Sequence, residues 1–595
     1  MADYKVDLQD IRFVLRDQLK VEELTQTEKY GDFTWDDFEL VIKEAERFAR
    51  EKIFPLQTLC ESEGASFEDG QVTLPAPFAD AYKAFCRSGW SAPSADPELG
   101  GQGLPSVIGA MTMDMFIGAC PSFAFVPGLA AAAAGVIAEV GSDEQRKKYC
   151  EKMFNGTYGG TMCLTEPQAG SAVGDSRTTA VKVDGTDYYS IAGNKIFISA
   201  ADQNITDNVI HLVLARTPDA PVGVKGLSLF IVPRDLDDGT SNDVKVTNIE
   251  EKMGLHGSPT CSLSFGDTGA CRGWILGGEC EGISHMFLMM NEARIAVGLQ
   301  GSSIANYAYQ LALDYAKERV QGVDVGSMRD PNAKRVAIID HPDVRRMLLT
   351  MKAFSEGSRS LLLTTASLVD RAHTTADEKK AAHYMNIVEV LTPICKAYAS
   401  YRAFEVADLA IMTHGGYGYC TEYQVEGLLR DVKIAAIYEG TNGIQALDLL
   451  GRKVARKGGV MFMSTIGWLN QFVADHKANE TVGPLVLKVE AAKNTLAAVT
   501  MELGGIGRKD IYYPALNASS YLEMFGDVVM GRLLVEQAAI ASEKLTGEVT
   551  TGERRFYEGK IKTAEFFVAQ LLPRVDMLAV TIRSGDRTAL EIDFG

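Results

Sequence analysis

The sequence predicts an α+β multidomain protein with a helical N-terminal domain, a central β domain, a helical bundle domain and an extra C-terminal helical domain. Apolar residues recur every three to four positions in the first quarter of the chain, which is typical of amphipathic helices. Short β-branched runs between turn residues follow from about Tyr158. Helical periodicity returns near Ile283 and dominates the rest of the 595-residue chain, which is long enough for several domains.

The first helices form an N-terminal helical extension, residues 1–34, and an N-terminal helical domain, residues 35–157. A helix of the second region opens at Thr34, where Asp37 three residues later forms a weak capping box. The alanine run Ala130–Ala134 belongs to a later helix of the same domain. The first quarter of the chain is therefore expected to be helical.

The middle β domain is predicted over residues 158–278. Ala180–Val183 and Tyr188–Ile191 flank Asp184-Gly185, a dipeptide that favours a hairpin turn. Further β-rich segments follow at 209–215, 227–232 and 244–246.

The helical bundle domain is predicted over residues 279–455, with a loop at Gly322–Asn332. A C-terminal helical extension, residues 456–595, has the size of a typical domain. Apolar residues from Leu485 to Leu503 recur at helical spacing in this extension. No chemistry is assigned to it.

Composition narrows the class of protein. A formal charge of −19 argues against nucleic-acid binding, which needs clustered Lys and Arg. Ten cysteines without a Cys-x-x-Cys pair fit reduced thiols, and the eight histidines form no ligand cluster, so no metal site is expected. The acidic start of the chain does not resemble a secretory signal. Because no window offers about 18 uninterrupted apolar residues, no membrane span is expected, and the chain is predicted to be cytoplasmic.

The stretch from Met412 to Lys453 has the strongest chemical signal. A glycine-rich run at His414–Gly418 precedes an amphipathic helix predicted over Glu422–Ile437. This helix ends at a break flanked by two glycines, where Glu439 lies between apolar neighbours. Burial there should raise the pKa of Glu439 and leave a base poised to take a proton. The alternative is a solvated acid at a helix end.

The residues TEY-VE-L-RD-KI-IYEGT, from Thr421 to Thr441, resemble the C-terminal signature of the acyl-CoA dehydrogenase family. The resemblance covers roughly residues 35 to 455. It implies a barrel-like β domain, FAD as cofactor, an acyl-CoA thioester as substrate and Glu439 as the base that removes the proton alpha to the thioester carbonyl. The two terminal extensions resemble the larger bacterial branch of the family. Electron-transferring flavoprotein is the implied acceptor, and a homodimer is implied by the long extension.

The resemblance also implies contacts to the flavin ring and pyrophosphate of FAD. Stretch Met162–Ala172 matches a family segment around FAD, which points to Leu164, Thr165 and Ser171. The family usually has aspartate where this chain has Ala172. In the strand Asn194–Ser199, Phe197 falls where a tryptophan often covers the flavin and Ser199 where a threonine bonds its edge. Two residues apart on a regular strand, these two side chains are expected on one face.

Further cofactor and substrate contacts come from the same resemblance. Arg319 matches an arginine that reaches the FAD pyrophosphate, often across a subunit interface, and a bidentate guanidinium suits phosphate. Near Arg319, this chain has Gln321 where the family has phenylalanine. Met412 stands where the family usually has glutamine. The remaining predicted contacts to FAD are Gly415, Gly416 and Thr441. The predicted contacts to the acyl-CoA substrate are Ser258, Thr260, Tyr438 and Gly440.

Some family members carry the base on a helix of the third domain, at a position that matches Ala293. Alanine cannot take a proton, and Glu292 lies about 100° around the helix from that position. The base is therefore assigned to Glu439. Three other functions stay open: an acyl-CoA oxidase, a DNA-associated flavoprotein of the same fold, and a structural interaction protein.

Overall fold

The described chain, a computed structural model, covers residues 4–595 apart from the side chains of residues 287–291. It divides into two units. The first holds Tyr4 and Phe38–Ala293, and the second holds Lys5–Asp37 with Arg294–Gly595. The N-terminal extension predicted over 1–34 is described from Tyr4 onward and belongs mainly to the second unit; Met1–Asp3 lie outside the described residues.

The first unit opens with helices. A capping box, in which Ser142 and Gln145 bond each other's backbone, starts the last of them. Phenylalanine rings fill the space between the helices: Phe85 lies 5.0 Å from Phe116 and 5.5 Å from Phe123, measured between ring centroids. The helices of this part are Trp35–Phe48, Pro55–Ser62, Ala76–Arg87, Ser106–Ala119, Pro121–Val140 and Asp143–Phe154.

The middle of the first unit is an eight-stranded sheet that closes on itself. Strand Arg272–Ile275 pairs on one side with Leu227–Pro233 and on the other with Tyr189–Ser199, which completes a ring of strands. The predicted hairpin is present, with Ala180 opposite Ile191. The strands are Tyr158–Cys163, Thr179–Lys182, Tyr189–Ser199, Asn208–Arg216, Leu227–Pro233, Val244–Ile249, Thr260–Phe265 and Arg272–Ile275.

Strand Asn208–Arg216 is buried on both faces and separates two apolar cores. Leu212 and Leu214 face a cluster that includes Ala134 and Ile137 of helix Pro121–Val140. Val213 faces the barrel interior, as the two-residue period of a strand requires. Among the described residues, Pro121–Val140 is the one helix long and apolar enough to cross a membrane, and half of its apolar window is buried within the protein.

The second unit consists mainly of helices. Three long ones form its centre, and six more build the C-terminal extension. The predicted loop at Gly322–Asn332 contains part of a two-stranded hairpin, Val320–Val323 with Arg335–Ala337, which the sequence did not indicate. The central helices are Gly282–Glu318, Pro342–Thr374 and Glu378–His414; the other helices are Leu8–Arg12, Val425–Lys433, Asn442–Asp448, Val460–His476, Gly483–Gly507, Tyr512–Lys544, Thr551–Phe566, Arg574–Arg583 and Thr588–Glu591.

A buried ionic network joins the two ends of the second unit. Asp10, fully buried, accepts from Arg359 at 2.8 Å and from Lys560. Lys560 also donates to Glu356 at 2.9 Å. Burial alone would raise the pKa of Asp10. The positive charges of Lys560 and Arg359 outweigh this effect and lower the pKa to about 2. The N-terminal extension, the central bundle and the C-terminal extension are thus tied by shared charges.

We expect Lys560→Ala to lower the free energy of unfolding by about 3 kcal/mol, because it removes a buried cation shared by the carboxylates of Asp10 and Glu356. Urea denaturation measures the change. Lys562→Ala, which removes an exposed lysine from the same helix, is the control and should change stability by less than about 0.5 kcal/mol. Equal midpoints for the two variants would contradict the expectation.

The same network gives a pH dependence. The pKa of Asp10 is about 2 in the folded state against an ordinary 3.8. Because the folded-state pKa is the lower one, the ionised network stabilises the fold above the ordinary value, and this stability is lost as the pH falls towards 2. The difference between the wild-type protein and Lys560→Ala should therefore shrink below pH 4.

Candidate active site

Glu439 lies on a left-handed turn between two short helices. Helix Val425–Lys433 ends in a 3₁₀ turn, Ile434–Ala436, and the chain then turns through Glu439 at φ +54° and Gly440 at φ +84°. A non-glycine residue in this region costs about 1 kcal/mol. The amide of Gln445 supports the turn, since its Nε2 donates to the carbonyl oxygens of Glu439 at 3.2 Å and Gly440 at 3.4 Å. Such strain persists where surrounding contacts fix it, and it is frequent at active sites.

The residues after Glu439 have structural roles of their own. A Cβ on Gly440 would lie 2.6 Å from Nε2 of Gln445, so this position needs glycine both for space and for its backbone angle. Thr441 caps helix Asn442–Asp448, its hydroxyl accepting from the backbone N–H of Ile444 at 3.2 Å. The predicted FAD contact of Thr441 would use the hydroxyl proton, which this cap leaves available.

The carboxylate of Glu439 is half-buried and makes no hydrogen bond or ion pair with the residues that the structure describes. Burial raises its pKa, and the positive charges of Lys396 and Arg294 oppose that rise. Arg294 is itself paired with Asp448, at 2.8 Å. Glu439 is therefore a carboxylate with a raised proton affinity and a free pair of oxygens.

Lys396 is a functional candidate that the sequence analysis missed. It lies on helix Glu378–His414, is fully buried, and donates through Nζ to Oδ1 of Asn442 at 3.0 Å. Burial lowers the pKa of Lys396 to about 7, against the opposing effect of Glu439. The signal for it in the sequence is a lone lysine within the apolar run from Val388 to Ala399.

Tyr438, a predicted substrate contact, points its hydroxyl at Oε1 of the buried Gln300. Burial, together with the charge of Glu439, raises the pKa of Tyr438 well above its usual range, so the phenol stays protonated and remains a donor. In the structure this hydroxyl fixes the turn to helix Gly282–Glu318. Its contact to a substrate stays a prediction.

A second group of predicted residues lines one cleft of about 580 Å³ in the second unit. Arg319 is exposed, forms no ion pair within the described part of the chain, and stacks over the ring of Tyr417 at 5.4 Å. A Cβ placed on Gly415 or Gly416 would meet nothing within 4 Å, so the backbone there faces open space. Met412 lines the same cleft. A free guanidinium beside open backbone suits a phosphate group.

The predicted FAD segment of the first unit is held by a buried ion pair. Glu166 accepts from Nζ of Lys195 at 2.9 Å, from the hydroxyl of Thr178 at 2.7 Å and from the backbone N–H of Arg177 at 2.7 Å. Lys195 also donates to the carbonyl oxygen of Leu164 at 3.1 Å. Burial alone would raise the pKa of Glu166, but Lys195 and these hydrogen bonds lower it to about 2.

This pair fixes the loop that carries Leu164, Thr165 and Ser171. The backbone carbonyl of Thr165 also accepts from Ile196 at 2.9 Å, while Ser171 is exposed. Neither Glu166 nor Lys195 was predicted from the sequence. The signal for Lys195 was a lysine at a buried position of an alternating strand.

Phe197 corrects the expectation of a regular strand. The pairing with Thr260–Phe265 shifts between Lys195 and Ile198, and Phe197 adopts φ +62° at this bulge. The bulge interrupts the regular two-residue alternation at Phe197, and the shared face of Phe197 and Ser199 stays a prediction. The ring of Phe197 is 60% exposed, which makes it a strained, solvent-facing aromatic.

The remaining predicted residues lie outside these groups. Ser258 is buried, and Thr260 pairs with Ser199 in the sheet. Ala293 packs against the apolar core of the first unit, whereas Glu292 is exposed. Within the described residues, no group of three or more His, Cys, Asp or Glu could hold a metal ion.

Four family models match the chain in order. They are the acyl-CoA dehydrogenase N-terminal domain at residues 36–157, the middle domain at 161–268, the C-terminal domain at 281–454 and the acetyl-CoA dehydrogenase C-terminal-like domain at 465–593. The last match covers most of the C-terminal extension.

Curated relatives match along nearly the whole chain. The 3-methylmercaptopropionyl-CoA dehydrogenase of Ruegeria pomeroyi is 38% identical, over 96% of this chain and 96% of its own length. A broad-specificity linear acyl-CoA dehydrogenase of Mycobacterium tuberculosis is 35% identical, over 100% of this chain and 99% of its own.

A solved structure shares the fold. The acyl-CoA dehydrogenase of Bacillus anthracis, complexed with FAD, superposes with a TM-score of 0.77 at 21% identity, over 96% of this chain and 91% of its own. The predicted fold class, enzyme class and FAD cofactor are confirmed. The chain belongs to the acyl-CoA dehydrogenase family.

Proposed function

We propose that this acyl-CoA dehydrogenase uses Glu439 as the base that removes a C2 proton from its acyl-CoA thioester, giving the trans-2-enoyl-CoA. The observation that carries the proposal is a carboxylate with a raised pKa and no partner among the described residues, placed on a strained turn. Because its pKa is raised, such a carboxylate is a stronger base towards a weakly acidic C–H group. Bound FAD would supply the acceptor, its N5 atom, for the hydride that leaves C3.

The turn also offers a group to stabilise the developing enolate. The backbone N–H of Glu439 donates to no acceptor among the described residues. We infer that it donates to the thioester carbonyl oxygen, where negative charge develops as the proton leaves. Tyr438 and Gly440 position this N–H, since Tyr438 bonds Gln300 and Gly440 is held by Gln445. Ser258 and Thr260 are proposed along the coenzyme A arm.

Each unit carries residues that we propose as contacts to FAD. In the first unit these are the exposed ring of Phe197, Ser199 and the loop at Leu164, Thr165 and Ser171. In the second they are the cleft at Arg319, Gly415 and Gly416, with Thr441. Two observations support the fit: backbone open to a ligand at the two glycines, and an exposed guanidinium without a counter-ion in the described chain.

The proposal extends to partners and location. Electron-transferring flavoprotein is the proposed acceptor of the electrons, and a homodimer is the proposed assembly. The protein is proposed to act in the cytoplasm, with helix Pro121–Val140 in the core of the first unit rather than in a membrane.

Glu439→Gln should lower the rate of dehydrogenation by at least 10²-fold to 10⁴-fold, because the base is lost, while FAD stays bound. The rate of flavin bleaching after mixing with acyl-CoA under anaerobic conditions measures this. Glu480→Gln, which alters an exposed glutamate of the C-terminal extension, is the control and should bleach like the wild type. Normal bleaching in Glu439→Gln would remove the assignment.

A panel of short, sulfur-containing, aromatic and long acyl-CoA thioesters identifies the substrate by the same readout, the rate of flavin bleaching.

Arg319→Ala should weaken FAD binding by roughly tenfold or more, because a charge-assisted contact to phosphate is lost. Quenching of flavin fluorescence on reconstitution of the apoprotein gives the dissociation constant. Lys317→Ala removes an exposed cation two residues away, in the last turn of helix Gly282–Glu318, and should leave that constant unchanged. Equal constants for both variants would exclude Arg319 from the cofactor site.

The acid limb of kcat/KM should lie above pH 4.5, the ordinary pKa of a glutamate, because burial raises the pKa of Glu439 and only the ionised form takes a proton. Activity should therefore fall as the pH drops through the raised pKa.

Two measurements separate the alternative functions. Hydrogen peroxide is measured in the same assays under air, without an added acceptor. Stoichiometric peroxide would make the chain an acyl-CoA oxidase, and salt-sensitive DNA binding would favour the DNA-associated alternative.

A further inference from the structure

Lys396 lies directly under the turn that carries Glu439. Its Nζ donates to Oδ1 of Asn442, the first residue of the helix that follows the turn. The other side of the same amide donates to the carbonyl oxygen of Ala397 at 3.2 Å and to the hydroxyl of Ser400 at 3.0 Å. Asn442 is thereby held on helix Glu378–His414 by hydrogen bonds with Lys396, Ala397 and Ser400, and the end of the turn is held with it.

The charged groups around Lys396 come from three elements. Helix Gly282–Glu318 contributes Arg294, helix Asn442–Asp448 contributes Asp448, and the turn contributes Glu439. Arg294 and Asp448 neutralise each other, and Asp448 is also 3.0 Å from Arg452. Lys396 and Glu439 remain as charges of opposite sign, and neither forms an ion pair with a described residue.

A buried ammonium without a paired carboxylate is costly, so its charge depends on what lies near it. Glu439 is the group that favours the charged form of Lys396, and Arg294 opposes it. The reverse also holds: Lys396 is the first of the groups that favour the ionised form of Glu439. The two side chains are therefore a coupled pair, whose protons are gained and lost in linked steps.

We propose that Lys396 is a positioning residue for the base: it holds the turn through Asn442, and its positive charge keeps the carboxylate of Glu439 ionised. This inference rests on the proposed role of Glu439. When the substrate's C2 proton moves to Glu439, the carboxylate charge disappears and Lys396 loses its counter-charge. The charge of Lys396 thus extends the ionised range of the base to lower pH, while burial keeps the carboxylate basic.

Two substitutions separate the charge from the hydrogen bond. Lys396→Met removes both, whereas Lys396→Gln removes the charge and keeps a donor for Asn442. In the FAD-loaded enzyme, the infrared C=O band of the protonated Glu439 side chain is followed against pH, and its assignment is fixed by its loss in Glu439→Gln. We expect the midpoint of this titration to rise by about one pH unit in both variants, since an opposite charge nearby shifts a carboxyl pKa by one to three units. The acid limb of kcat/KM should move with it.

Lys493→Met is the matched control. Lys493 is also a buried lysine that donates to an asparagine, Asn470, but it lies in the C-terminal extension. Its loss should leave the Glu439 midpoint unchanged. An unmoved midpoint in Lys396→Gln would overturn the charge role, even if Lys396→Met fails to fold. Because the infrared midpoint needs no turnover, it stands apart from the bleaching test of Glu439 as the base.

Discussion

The candidate site depends on keeping one carboxylate basic without pairing it. A salt bridge would lower the pKa of Glu439, and complete burial would make the ionised form too costly. The structure lies between these limits, with a half-buried side chain and cations nearby that do not contact it. The left-handed backbone at Glu439 and Gly440 makes this arrangement possible, because it turns the chain between two helices within a few residues. Gln445 and Thr441 then fix the turn.

Elsewhere in the chain, the charged residues near the predicted FAD contacts differ from Glu439 in burial and in pairing. Glu166 is paired with Lys195 and surrounded by donors that lower its pKa to about 2, so this carboxylate stays ionised near neutral pH and fixes the geometry of the loop. Arg319 is exposed and unpaired within the described chain, so its charge is free for a ligand. The same residue types therefore serve as base, structural pair or binding group, according to burial and partners.

Local sequence explains what could be predicted. Glycines and a cap residue around Glu439 mark a helix break within six residues, and Asp184-Gly185 marks a hairpin within two. The bulge at Phe197 could not be read in this way, because it depends on the register with another strand. Lys396 was missed for a similar reason: its neighbours come from three separate elements. Contacts between distant segments leave no local pattern, whereas backbone conformation often does.

The buried bond between Asp10 and Lys560 has a consequence for synthesis. These residues are 550 positions apart in the chain. At roughly 5 to 20 residues per second, the ribosome reaches Lys560 about 30 to 110 seconds after Asp10. During that interval the acidic N-terminal segment and Arg359 await their last partner, while Phe38–Ala293 is already complete. We therefore expect the nascent second unit to need protection from premature association until its final helices emerge.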